Sequence, residues 1–154
     1  MDTTRKEVIV SKLLKASRER VYRAWTDPEQ FSKWWGPEGY DIPVCEFDLR
    51  PGGALRIDMS GAGGWLMRMD GNFVEVVDNE KLVFTTAAFP DEEGNPTHEH
   101  LNTILFAEEE GGTRVTVTVT LLRVPEGAAA VDGLSDGWKS SLDQLEQRLF
   151  SINQ

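Results

Sequence analysis

Hydrophobic and polar positions along the 154-residue chain change their period twice. Residues 7–14, EVIVSKLL, are β-branched and apolar and predict an opening strand. Ser17 then suits an N-cap for a short helix from Arg18 to Thr26, with Val21, Tyr22 and Trp25 on one side. Asp27-Pro28-Glu29-Gln30 opens a second helix: Asp as N-cap, Pro at the first helical position, Gln30 placed as in a capping box. That helix is expected to carry Phe31, Trp34 and Trp35 and to end at Gly36-Pro37.

From Tyr40 to Leu122 the period is two, and strands are predicted at 41–49, 54–60, 65–77, 81–88, 99–108 and 113–123. Pro51-Gly52 fits the centre of a type II turn. Gly61–Gly64, Asp78-Asn79 and Gly111-Gly112 mark further hairpins, and Asp91–Pro96 a longer polar loop. Val115, Val117, Val119 and Leu121 alternate with threonines, as in a strand with one buried and one wet face. After Pro125-Glu126-Gly127, Leu134, Trp138, Leu142, Leu145 and Leu149 form a helical stripe within about Ala129 to Phe150. The order β-α-α, six strands, α predicts an α+β domain spanning residues 1–154, a meander of antiparallel strands with helices on one face. A long helix on a strongly curved sheet leaves space beneath it, and the two short helices could close one end.

Charge narrows the partners. Lys plus Arg number 16 and Asp plus Glu 26, a net charge of −10. Residues 1–77 hold 11 basic and 12 acidic side chains, residues 78–154 hold 5 and 14. Such a balance argues against a nucleic-acid backbone binder and against docking on anionic membranes. One cysteine, Cys45, excludes an internal disulfide. With no apolar run of transmembrane length and no signal-like segment, a cytoplasmic location is expected.

The runs Ala24-Trp25-Thr26-Asp27-Pro28-Glu29, Trp34-Trp35-Gly36-Pro37 and Asp48-Leu49-Arg50-Pro51-Gly52-Gly53 resemble the bacterial homologues of the activator of the ninety-kilodalton heat-shock-protein ATPase. Gly71-Asn72-Phe73-Val74-Glu75-Val76, Glu80-Lys81-Leu82-Val83-Phe84-Thr85, Gly111-Gly112-Thr113 and Gly137-Trp138 extend the resemblance over nearly the whole chain. That family is part of the helix-grip superfamily of START domains, the birch-pollen allergen and polyketide cyclases, also called SRPBCC. The resemblance implies a curved seven-stranded antiparallel sheet gripping the C-terminal helix around an apolar cavity. Some relatives bind lipids, sterols, flavonoids or polyketides. The separate N-terminal domain of the eukaryotic chaperone activators is not present in this chain.

Candidate ligand-binding residues are Trp35, Met59, Trp65, Met67, Met69, Phe84, Phe106 and Trp138, large soft side chains on the central strands, the second helix or the last helix. Polar contacts are expected from Lys12, Glu75 and His100. If Val8 and Val10 point inward, so does Lys12, whose ammonium then needs a partner. Glu75 could pair with Lys12, or with Arg56 or Arg68, but ordinary salt bridging at the sheet rim is the favoured expectation. His98 and His100 share a strand face but lack a third ligand, so no metal is expected. Cys45 reads as an inert buried thiol. No serine has a nucleophile context, Gly61–Gly64 lacks a phosphate-loop lysine, and no cofactor is expected.

The favoured reading is binding of a small apolar or amphipathic molecule, by a monomer or homodimer. A cyclase-like enzyme using Lys12, Glu75 and His100 as acid–base groups is one alternative. A chaperone-contacting module using the acidic second half is another, ranked below both.

Overall fold

The computed structural model describes residues 6–35, 41–61, 66–90, 93, 96–123 and 129–152. Side chains are described for these except 6, 66–67, 88–90, 96–98, 123, 129–136 and 150–152. Ten elements follow the predicted order: β1 (Lys6–Leu14), α1 (Arg18–Thr26), α2 (Pro28–Trp34), β2 (Asp41–Phe47), β3 (Ala54–Ser60), β4 (Leu66–Val77), β5 (Lys81–Pro90), β6 (Pro96–Glu109), β7 (Gly112–Arg123) and α3 (Ala129–Ile152).

All seven strands pair antiparallel in the order β1-β7-β6-β5-β4-β3-β2. Strands β2 to β7 are a continuous meander, and β1 adds to the β7 edge. The chain therefore leaves one edge of the sheet after β1 and must reach the other edge at β2. Helices α1 and α2 make that crossing. Asp27 joins them by serving both: its N–H donates to the Arg23 carbonyl (2.8 Å), closing α1, while its carboxylate accepts from the Glu29 N–H (3.1 Å), opening α2. Because the Asp27 N–H is already used, Gln30 does not complete a capping box. Its amide donates instead to the Asp27 carboxylate at 3.2 Å.

Trp35 departs from expectation. Helix α2 ends at Trp34, and Trp35 is its C-cap with extended ψ of 144°. Its indole stacks on Phe31 at 5.7 Å. The Gly36-Pro37 stop lies outside the described residues.

The sheet curls because its ladder is interrupted. Register shifts lie between Asp41 and Val44, between Phe73 and Glu75, and between Glu99 and His100. Each adds local twist. At Gly71 a Cβ would collide with the Thr85 carbonyl oxygen, so only glycine allows the strands to approach there. Beside it, the Asn72 N–H donates to Thr85 Oγ1 at 3.0 Å, a side-chain oxygen standing in the backbone ladder. The Pro51-Gly52 expectation holds: Gly52 has φ +85° and the Gly53 N–H donates to the Arg50 carbonyl at 2.8 Å.

Inward residues of the strands form the core with Val21, Tyr22, Ala24, Trp25, Phe31 and Trp34 of the short helices. Of the C-terminal stripe, Trp138, Leu142, Leu145 and Leu149 are buried, and Leu134 lies among the side chains not described. The backbone of α3 packs closest to β1 and α2. Arg20 of α1 donates to the Leu149 carbonyl at 3.2 Å, satisfying one of the last carbonyls of α3 where the helix has no basic residue of its own.

Two glycines separate packing from propensity. Gly71→Ala is expected to destabilise the fold by about 1–3 kcal/mol through the backbone clash. Gly137, in α3, would place a Cβ in open space, so Gly137→Ala is expected to stabilise by about 1 kcal/mol. Urea unfolding midpoints of the two variants should move in opposite directions.

Candidate functional site: the concave face under α3

The concave face divides into an aromatic end and a polar end. At the aromatic end, Trp25 is stacked on Trp138 of α3 (5.7 Å, 13°) and meets Phe106 of β6 and Trp34 of α2 edge-on (6.1 and 4.8 Å). Phe31, Phe47, Phe73 and Phe84 continue the chain of rings across β2, β4 and β5 at 5.2–6.1 Å. Such pairs contribute about 0.5–1.5 kcal/mol each beyond their burial. Between Trp25 and Phe31 and the inner faces of β2–β5 lies a void of about 10 Å³, close to what one water centre needs. No polar atom of the described residues faces it. An apolar void of this kind stays dry and favours apolar atoms.

At the polar end, Asn102 of β6 shares the inward phase with Ile104 and Phe106 and is 2% exposed. Its side-chain N–H₂ donates to the Phe84 carbonyl and to Thr86 Oγ1, both at 3.2 Å. Thr86 is itself buried, and His100, two residues before Asn102 and paired with Thr86 in register, is half-buried. A hydroxyl, a carboxamide and an imidazole thus stand together on an otherwise apolar concave surface. Asn102 and Thr86 were not among the expected site residues. Their phase was legible, because Asn102 lies midway between His100 and Ile104, but nothing in the sequence marked the pair as neighbours across two strands.

The expected ligand-contact residues fall into three groups. Phe84, Phe106 and Trp138 are buried on the concave side, with Phe84 lining the void. Met59 is buried on β3, Met69 half-buried on β4, and Trp35 half-buried against Phe31. Trp65 and the side chain of Met67 lie outside the described residues.

Two polar expectations are corrected. Glu75 is exposed and paired with Lys81 at 3.1 Å, because the register shift after Phe73 turns Val74 and Glu75 both outward. Lys12 shares the phase of Val8 and Val10, as expected, but its partners are Asp143 (2.8 Å) and Glu146 (3.4 Å) of α3, not Glu75. Asp143 raises the lysine's pKa most, partly opposed by burial and aided by Glu146. Arg56 and Arg68 likewise find partners two residues along their own strands, Asp58 (2.9 Å) and Asp70 (3.2 Å), on the convex face. Of the two histidines, His100 is half-buried, and the side chain of His98 lies outside the described residues. No cluster able to hold a metal occurs among the described residues, and no helix among them is long and apolar enough to cross a membrane.

Burial pushes the Cys45 thiol up to about 12, with Asp27 and Glu46 adding to the effect. At neutral pH it is a thiol, not a nucleophilic thiolate.

Residues 15–149 match the model of the family described as Activator of Hsp90 ATPase homolog 1-like protein. The fold is similar to that of protein CV1439 from Chromobacterium violaceum, 28% identical, covering 92% of this chain and 96% of that one with a TM-score of 0.78. It is similar to protein NE0264 from Nitrosomonas europaea, 25% identical over 99% of each chain with a TM-score of 0.80. Protein Ms6760 from Mycobacterium smegmatis is 27% identical over 96% of each chain, with a TM-score of 0.75. No curated protein matches the chain.

Removing the β1–α3 tie by Lys12→Met is expected to cost about 0.5–1 kcal/mol at pH 7. Because the bond to Asp143 holds the folded-state pKa above the ordinary lysine value of about 10.5, this contribution is complete below that pH and fades as pH rises through the folded value. Thermal melts of both proteins from pH 7 to 11.5 should converge at the alkaline end. Alkylation of Cys45 by iodoacetamide at pH 8 is expected to be roughly a hundredfold slower in the folded protein than in urea, measured by mass spectrometry.

Proposed function

The chain belongs to the family of Activator of Hsp90 ATPase homolog 1-like proteins, and from that membership we propose that it binds a small apolar or amphipathic molecule between α3 and the concave face of the sheet. The observation that carries this reading is the concave face itself, on which a layer of aromatic rings adjoins the buried Thr86–Asn102 pair. Apolar area supplies the driving force, about 25 cal/mol per Å² before ordering costs. The polar end supplies orientation, since a few placed polar groups in an apolar pocket fix how a ligand lies. Both polar groups are neutral, and the chain carries a net charge of −10. Both features favour a neutral head group over an anionic one.

The catalytic alternative draws less support. Of its three acid–base groups, Glu75 is on the convex face and Lys12 is held at the rim by two carboxylates of α3. His100 remains on the concave side. The chaperone reading, suggested by the family's name, would use the acidic second half of the chain, which includes the exposed turn at Glu108–Glu110. There Glu108 pairs with Arg18 at 3.5 Å and Glu109 with Arg114 at 3.0 Å, so two of the three charges are engaged within the chain.

A thermal-shift panel of neutral aromatic metabolites, long-chain alcohols, sterols and fatty acids tests the binding reading. A ligand at a hundredfold over its Kd is expected to raise Tm by about 5–10 °C, and Asn102→Leu should weaken amphipathic ligands more than purely apolar ones. No shift from any class, with a native mass spectrum of the purified protein free of adducts, would overturn it.

A further inference from the structure

Tyr22 and Trp25 lie one helical turn apart on the buried side of α1, 7% and 1% exposed. Among the described residues, neither the Tyr22 hydroxyl nor the Trp25 indole nitrogen has a hydrogen-bond partner. Buried polar groups are nearly always paired, and each exception calls for a reason. Trp34, in the same aromatic layer, follows the rule: its Nε1 donates to the Ala24 carbonyl at 2.9 Å.

The surroundings of the two orphaned groups are aromatic. Both rings meet Phe106 edge-on, at 5.3 and 6.1 Å, and Trp138 of α3 covers Trp25 in a near-parallel stack. An indole N–H can only donate, so what Trp25 lacks is an acceptor. The Tyr22 hydroxyl stays protonated in the working range, because burial, with Asp78 adding to it, raises its pKa. It too has a proton to give.

Resting on the ligand-binding reading above, we infer that Tyr22 and Trp25 form an acceptor-recognition site beside Phe106, and that the ligand class is an apolar molecule carrying a neutral hydrogen-bond acceptor such as a ketone, aldehyde or ester carbonyl. A carboxylate fits less well, since it would be desolvated close to the negative charge of Asp78. The carbonyl would convert two unmet donors into hydrogen bonds, whereas a hydrocarbon of the same shape would leave them unmet. Sites built to hydrogen-bond a ligand group discriminate strongly against the analogue that lacks it.

Acetophenone and α-methylstyrene have nearly the same shape and differ in C=O against C=CH₂, so they isolate the acceptor. Their affinities are measured by titration of ¹⁵N-labelled protein, following the Trp25 indole N–H signal, assigned by its loss in Trp25→Phe. The ketone is expected to bind about tenfold more tightly and to move that signal downfield, with the hydrocarbon leaving it near its free position. Tyr22→Phe, which removes only the hydroxyl, should cut the ketone's advantage over α-methylstyrene several-fold. Equal affinity for the two probes, an unmoved indole signal, or no binding of the ketone overturns the acceptor site. A positive ligand panel with equal binding of the two probes would sink this inference alone, whereas a blank panel would sink the binding reading beneath it.

Discussion

Trp25 lies 5.7 Å from Trp138, 4.8 Å from Trp34 and 6.1 Å from Phe106, so one ring touches α3, α2 and the sheet. Everything on the concave side is positioned by that junction. Helix α3 has its closest backbone packing on β1 and α2, and over the rest of the sheet it is held at the distance its side chains set. The stack of Trp138 on Trp25 therefore fixes how deep the space beneath α3 can be. The Lys12 pair with Asp143 and Glu146 and the Arg20 bond to the Leu149 carbonyl hold the C-terminal half of the same helix at the β1 edge. Gly137, N-terminal to these ties, lowers the helix propensity of the turn that carries Trp138.

Curvature and charge follow from the same need to wrap one apolar face. The close approach at Gly71, the Thr85 hydroxyl in the ladder and three register shifts bend the sheet toward the helices. The shift after Phe73 also sorts polar from apolar: Phe73 remains inside while Glu75 turns out to Lys81. Ion pairs such as Arg56–Asp58 and Arg68–Asp70 stand on the convex face. On the concave face the described buried polar groups include the neutral side chains of Thr86 and Asn102, with the unpartnered donors of Tyr22 and Trp25 in the adjoining aromatic layer. The helix-grip fold of the family is in general a ligand-binding one.

Local chemistry and period were legible in the chain by themselves. Ser17 and Asp27 cap helices because short polar side chains before an amphipathic run have N–H groups to satisfy. The Val–Thr alternation of β7, the stripe from Trp138 to Leu149 and the Pro51-Gly52 turn gave elements at or within a few residues of their places, because period and turn geometry are properties of neighbouring residues. The inward phase of Lys12 was readable for the same reason. The family and the seven-stranded helix-grip fold came from motifs spread along the whole chain.

What the tertiary structure decided are the relations between residues far apart in sequence. Lys12 pairs with residues more than 130 positions away, and no local pattern distinguishes Asp143 from Glu75 as its partner. A single register shift reversed Glu75, since side chains in a strand alternate with period two and one extra residue changes every later face. The adjacency of Asn102 to Thr86 and the missing partners of Tyr22 and Trp25 exist only once strands are in register and α3 is laid over them. Sequence fixes which side chains are available and which way each faces along its own element. Which of them meet, and which buried donor is left without an acceptor, is settled by packing, because hydrogen bonding is short-ranged in space and indifferent to distance along the chain.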